Sequence, residues 1–200
     1  MKKFLAIGIF LTMALFSVNA QGFYFDIGLS IGEAWTKIDR TDAADVFKST
    51  GEKFIQIGVD LGLKAGYGPI ANIPFYIVGT IGGIGHRLDN GSDYIQFNSY
   101  IIGPGVIFYP IPFIQIAGDV GLSFVSNQTS FSMVTYMYNS EAGFAGNISM
   151  AVDLGKGNHS CLIGVKYFGA VNKLEISGVD QNQSGLSVFA RYAFRHKLKP

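Results

Sequence analysis

In the stretch 23–31 every second residue is apolar: Phe23, Phe25, Ile27, Leu29 and Ile31, with Tyr24, Asp26, Gly28 and Ser30 between them. The same comb returns in 55–67, where Ile55, Ile57, Val59, Leu61, Leu63, Ala65 and Tyr67 alternate with Gln56, Gly58, Asp60, Gly62, Lys64 and Gly66. Side chains on a strand alternate between its two faces. One face is therefore apolar and the other carries charges, amides and glycine. A soluble sheet buries the first and wets the second. A transmembrane barrel turns the apolar face to lipid and the polar face to its lumen.

Composition favours the barrel. Charged residues make up 14% of 200 residues, against about 25% for an average soluble domain. That is too few to cover a soluble surface of this size. The formal net charge of +1 lacks the basic excess expected of a nucleic-acid binder. The single cysteine, Cys161, rules out an intramolecular disulfide and any Cys-rich metal site. Its place on an apolar comb reads as a small hydrophobe. No cofactor or metal is implied.

Lys2 and Lys3, the apolar run 4–16 and Val18-Asn19-Ala20 have the layout of a secretory leader cleaved after Ala20. The expected organisation is a leader over 1–20, a barrel over 21–195 and a short basic tail over 196–200. The uncharged stretch 97–118 is long enough for a membrane helix, but it holds Pro104, Pro110 and Pro112. Each proline within a helix costs about 3 kcal/mol. Two strands joined at a proline turn fit better.

Eight strands are expected, at roughly 22–35, 53–67, 75–86, 94–108, 113–125, 140–154, 161–171 and 185–195. The links after the second, fourth and sixth are short, and most of the others are longer and polar. That asymmetry is the pattern of outer-membrane barrels, with both termini on the periplasmic side. Asp42 is a candidate cap for a short helix over 41–48 in the first long link. Phe23, Tyr67, Phe75, Tyr109, Phe113 and Phe194 would form the periplasmic aromatic girdle, and Trp35, Tyr94 and Phe124 the outer one. A spanning sheet must close, because lipid offers no hydrogen bonds to an open edge.

On these residues the chain is similar to the small eight-stranded outer-membrane proteins, the group that includes OmpX, OmpW and the OmpA barrel. Size and overall pattern resemble OmpW most. Members of the group usually end on an aromatic residue preceded by alternating apolar residues, which the assembly machinery reads. Leu186, Val188, Ala190, Tyr192 and Phe194 fit that comb, although a tail follows Phe194. The resemblance implies an all-β antiparallel transmembrane barrel in the outer membrane. Its partners would be outer-membrane lipid and the outer-membrane assembly machinery, with small solutes or surface ligands as further candidates.

The candidate lumen residues are Asp26, Gln56, Asp60, Lys64, Gln115, Asp119, Glu141, Asn147, Asp153, Lys166 and Arg191. Eight strands leave a lumen wide enough only for side chains or one small ligand. Buried charges there must pair, and Asp26 with Arg191 is the pair expected across the closing seam. A narrow pore for small solutes, apolar ones included, is the first functional expectation. The alternatives are a non-conducting surface barrel that binds partners or host molecules through its extracellular loops, or a structural envelope protein. Phe131, Met133, Tyr136 and Tyr138 in the uncharged fifth link are the candidate contacts. The rival fold is a soluble periplasmic β-protein with a cavity. Asn158-His159-Ser160 contains a His-Ser pair but falls in an expected periplasmic turn, and His86 near Ser92 and Asp93 shows no catalytic spacing. The chain is not expected to be an enzyme.

Overall fold

The computed structural model describes residues 22–49, 53–131, 134–175 and 178–196. The leader, nearly all of the tail and Met133 lie outside the described residues. The elements are β1 (Phe23–Ile38), β2 (Thr41–Asp42), α1 (Ala43–Ser49), β3 (Ile55–Tyr67), β4 (Phe75–Asp89), β5 (Tyr94–Ile111), β6 (Ile114–Phe131), β7 (Val134–Asn139), β8 (Gly143–Asp153), β9 (His159–Lys173) and β10 (Asp180–Arg195).

The sheet runs β10-β9-β8-β6-β5-β4-β3-β1, and β1 pairs β10 to close it. The seam is an unbroken antiparallel ladder from Tyr24↔Arg195 to Ile38↔Gln181. The chain is a closed, eight-stranded antiparallel β-barrel. β2 and β7 are short additions that pair β1 and β6. Closure gives each spanning strand two neighbours, as an apolar surrounding demands.

The alternating pattern divides the faces as its polarity requires. Ile27, Leu29, Ile31, Leu61, Ile81, Ile102, Val120, Leu122, Ile148, Met150, Val165 and Val188 are exposed on the outside. Asp26, Asp60, Lys64, Asp119, Asp153, Lys166 and Arg191 are buried inside. In β6 the outward face changes from Ile116, Val120, Leu122 and Phe124 to Ser126, Gln128 and Ser130. The outer half of β6, with β7 alongside, therefore rises beyond the apolar band, which in such barrels is about 25 Å tall.

Three short turns, 68–74, 112–113 and 154–158, lie at one end together with both ends of the described barrel. The other end carries α1 and the β6–β7 hairpin. The strands run longer than the sequence suggests. β6 extends to Phe131 and β10 begins at Asp180, because outward polar residues such as Gln128, Asn182 and Ser184 continue the ladders above the apolar band. β5 reaches Ile111, with a register shift between Phe108 and Ile111. Pro104 lies inside β5 on its exposed face, opposite Gly79. The β5–β6 ladder skips Gly103 and Pro104, since proline has no N–H to donate. Asp42 caps α1 through a hydrogen bond that its Oδ1 accepts from Ala44 N (2.9 Å). In the last turn Lys48 donates to Asp45 (3.0 Å), which raises the Lys48 pKa.

Tyr109 does not join a girdle. Phe108 faces out and Tyr109 is 1% exposed. Both neighbours are aromatic, so the hydrophobic period alone could not choose which one faced lipid.

An arginine on the outer face should separate the two surroundings. Leu61→Arg is expected to destabilise the vesicle-inserted protein by about 2–4 kcal/mol, and Gln128→Arg by no more than about 1 kcal/mol. Urea unfolding in vesicles measures both.

Candidate functional site

The lumen is stacked in layers, each made by inward residues of several strands. At the short-turn end Tyr24, Tyr76, Val78, Ile107, Tyr109 and Ala117 form an apolar cluster. Gln115 ties it together, donating to Tyr24 Oη (2.9 Å) and Tyr109 Oη (2.8 Å). Tyr24 in turn donates to Asp26 Oδ2 (2.7 Å). Tyr76 donates to the backbone oxygen of His196 (2.7 Å). The Arg195 guanidinium stacks 3.7 Å from the Tyr109 ring centre and donates to the Pro112 carbonyl (2.7 Å).

The middle of the lumen holds ion pairs that bridge strands. Lys64 on β3 meets Asp119 on β6 at 2.5 Å. Lys166 on β9 pairs with Asp60 on β3. Arg191 on β10 lies 3.9 Å from Asp26 on β1. A fourth pair, Arg195 on β10 with Asp153 on β8 at 2.6 Å, lies in the short-turn layer beside Tyr109. All eight side chains are at most 5% exposed. Four cations thus face four carboxylates, and the paired set has no net charge. Thr80 adds a hydrogen bond to Asp119 Oδ1 (2.6 Å), and Ser160 donates to Asp153 Oδ1.

The long-loop end is closed by amides and apolar groups. Ser99 donates to Gln183 (2.5 Å), Ser123 to Asn172 (2.8 Å) and Asn127 to Gln181 (2.5 Å). Thr36 Oγ1 and His86 Nδ1 are 2.8 Å apart. Ala34, Ile84, Ile101, Ala145, Phe168 and Ala170 pack at this level. Above them Ala43 and Ala44 of α1 rest on Leu88 and Phe97, with Ile38, Phe54 and Ile95 alongside. A cavity of about 250 Å³ remains at this mouth, between Ile38, Ile95, Phe97, Tyr138 and Leu174.

Of the residues that the sequence suggests for the lumen, Gln115 is buried in it and the seven charges at Asp26, Asp60, Lys64, Asp119, Asp153, Lys166 and Arg191 pair there. Gln56 and Asn147 are half-buried on the same face. Gln56 donates to the Ala34 carbonyl. Glu141 is the exception. It is exposed, because β8 begins only at Gly143, and its N–H donates to the Lys173 carbonyl (2.9 Å). Arg195 is a lumen residue that the sequence reading assigned to no role. Continuing the inward series Arg191, Ala193 by one step would have found it.

The fifth link is a hairpin, with β7 pairing β6 from Ser126↔Asn139 to Phe131↔Val134. Tyr136 is exposed and Tyr138 half-buried. The Phe131 side chain lies outside the described residues. The His-Ser pair is split by strand alternation: His159 is exposed beside Tyr192 (Nδ1 to Oη 2.6 Å), while Ser160 points inward to Asp153. His86 faces the lumen and Ser92 lies in the turn after β4. Neither histidine is placed to activate a serine.

No family model and no curated protein matches the chain. Among solved structures, the chain is similar to Ail, the attachment invasion locus protein of Yersinia pestis, in complex with the heparin analogue sucrose octasulfate. The identity is 13%, with 86% of this chain and 99% of that one covered at a TM-score of 0.54. Neisserial surface protein A aligns at 16% identity over 86% of this chain and 97% of its own, with a TM-score of 0.52. The chain has the fold of the small eight-stranded outer-membrane barrels. At these identities the likeness establishes the fold alone.

Each lumen charge is held by a partner on another strand. Lys64→Met would leave Asp119 buried with only the Thr80 hydroxyl, and is expected to cost about 3–5 kcal/mol. Adding Asp119→Leu removes the orphaned charge and should recover most of that loss. Unfolding free energies of the single and double variants check this.

Proposed function

We propose that this chain resides in the outer membrane as a non-conducting barrel and acts at the cell surface through its long-loop end. One observation carries the reading: three buried ion pairs fill the lumen between an aromatic layer, which holds a fourth pair, and an amide layer. A solute would have to part several of these layers, and parting a buried pair leaves uncompensated charge at a cost of several kcal/mol. This favours the surface-barrel alternative over the narrow pore.

The surface reading draws on the β6–β7 hairpin. It stands above the apolar band and presents Tyr136 at 53% and Met137 at 68% exposure. Tyr138 borders the mouth cavity. Aromatic and methionine side chains are enriched in binding surfaces. Around this end the described links carry Asp39, Asp42, Asp45, Asp93, Glu141 and Glu175 against Arg40, Lys48 and Lys53. That acidic balance suits a protein partner better than a sulfated glycan such as the heparin analogue bound to Ail.

Liposomes loaded with the refolded protein test the seal. Sugar and amino-acid uptake should equal that of empty liposomes. Uptake above that level, altered by Asp60→Asn or Lys166→Met, would restore the pore reading. On whole cells, Tyr136→Ser with Met137→Ser should reduce adhesion to host-cell monolayers several-fold, with heat-shifted gel mobility unchanged. Unchanged adhesion would remove the hairpin from the binding surface.

A further inference from the structure

Charge is distributed along the barrel axis with a definite direction. Among the described residues, neither the turns nor the outward strand ends of the short-turn end carry an acidic side chain. Asp153 is the acid nearest that end, and it is buried and paired with Arg195. The turns 68–74 and 112–113 are uncharged. Free positive charge therefore gathers in one sector, where β8 and β10 end and β9 begins.

Lys156 is exposed in the turn between β8 and β9, and makes no ion pair among the described residues. His159 opens β9 beside it, exposed on the outside, with its Nδ1 2.6 Å from Tyr192 Oη and its ring 5.2 Å from that of Phe194. β10 ends against the same turn, where the Arg195 N–H donates to the Asn158 carbonyl (2.8 Å). The His196 N–H then donates to the Phe23 carbonyl (3.1 Å). The root of the tail is thus fixed beside the Lys156 turn, and the sequence that follows it contains Lys197 and Lys199. Even counting a carboxylate on Pro200, positive charge is in excess here. The wall next to this sector is of lipid type. Leu154 is 60% exposed two residues from Lys156, and Val152 lies opposite Ile163. Tyr192 pairs with Cys161 and Phe194 with His159, which puts an aromatic row at the depth of lipid headgroups.

We infer that this sector binds the headgroup of an anionic phospholipid in the adjoining leaflet, its phosphate among Lys156, Lys197 and Lys199 and an acyl chain along Leu154, Val152 and Ile163. The cationic patch is continuous with the lipid-facing wall, so the bilayer supplies the occupant. An ammonium on a flexible four-carbon stem can reach along that boundary to a phosphate. With no outward carboxylate to balance it, the cluster selects a net-negative headgroup over a zwitterionic one. The acidic excess of the long-loop links disfavours such a lipid at the other mouth, so anionic lipid is sorted to one end of the barrel. The site is separate from the hairpin and holds whether or not the lumen conducts.

Trp35 is the sole tryptophan and lies in the long-loop half of β1, opposite Ser184. The unmodified protein therefore reports lipid at the long-loop end, and Trp35→Phe with Leu154→Trp moves the reporter to the cationic sector. Each refolded protein is placed in bilayers containing brominated phosphatidylglycerol or brominated phosphatidylcholine, and tryptophan quenching is compared. At position 154 phosphatidylglycerol should be enriched about fivefold, the effect of one lysine at an anionic surface, and at Trp35 it should not be enriched. Lys156→Gln should lower the preference at position 154 part-way, and adding Lys197→Gln and Lys199→Gln should abolish it. Equal quenching by both lipids at position 154 overturns the inference. So does an equal preference at Trp35, which would mean diffuse attraction, or a preference that survives the triple lysine variant. Retention by peptidoglycan sacculi that the triple variant loses, with the two lipids quenching equally, would assign the patch to the cell wall and overturn it as well. Heat-shifted gel mobility verifies folding, and Phe194→Trp places the reporter in the same sector if Leu154→Trp does not fold.

Discussion

The closing ladder between β1 and β10 is the interaction on which the other features depend. Without it two strands would present unpaired N–H and C=O groups to hydrocarbon, at several kcal/mol for each group. With it the sheet becomes a cylinder of eight strands. Eight strands set a narrow bore, so inward side chains from opposite walls touch. Touching across a water-poor bore then requires every charge to find a counter-charge. The pairs Lys64–Asp119 and Lys166–Asp60 span the lumen for that reason. The same logic places hydroxyls and amides opposite one another near the long-loop mouth, where Ser99 meets Gln183 and Ser123 meets Asn172.

The outer wall obeys a different solvent. Its residues need only be apolar over the band and polar beyond it, and no specific partners are required there. This is why the outward face of β6 can change character within two residues, from Phe124 to Ser126, while its backbone ladder continues into the β6–β7 hairpin. Outward charges there are held locally, as Arg87 is by Asp89 and Tyr94.

Much of the fold is legible in the alternation. Strand existence, the face of nearly every comb residue and the short-turn end follow from a two-residue period. Seven of the charges suggested for the lumen do lie in it. What the period misses has physical causes. Tyr109 was ambiguous because its neighbour Phe108 is also aromatic. Glu141 was carried one step too far along a comb that the backbone had not yet joined. Arg195 was missed because a terminal basic residue looks like the start of a tail. The upper strands escaped notice because ladder pairing outside the membrane asks for no hydrophobic period at all.

Which side chains face lipid and which face the lumen is written in the alternation, because facing is a local property of an extended chain. The alternation also determined that the charges would need partners, because their number and burial follow from facing. Which cation meets which carboxylate, and which hydroxyl meets which amide, are tertiary outcomes. Those outcomes depend on the stagger of eight strands around a closed ring. That stagger is a relation between residues far apart in the chain, as with Lys64 and Asp119, and no local period encodes it.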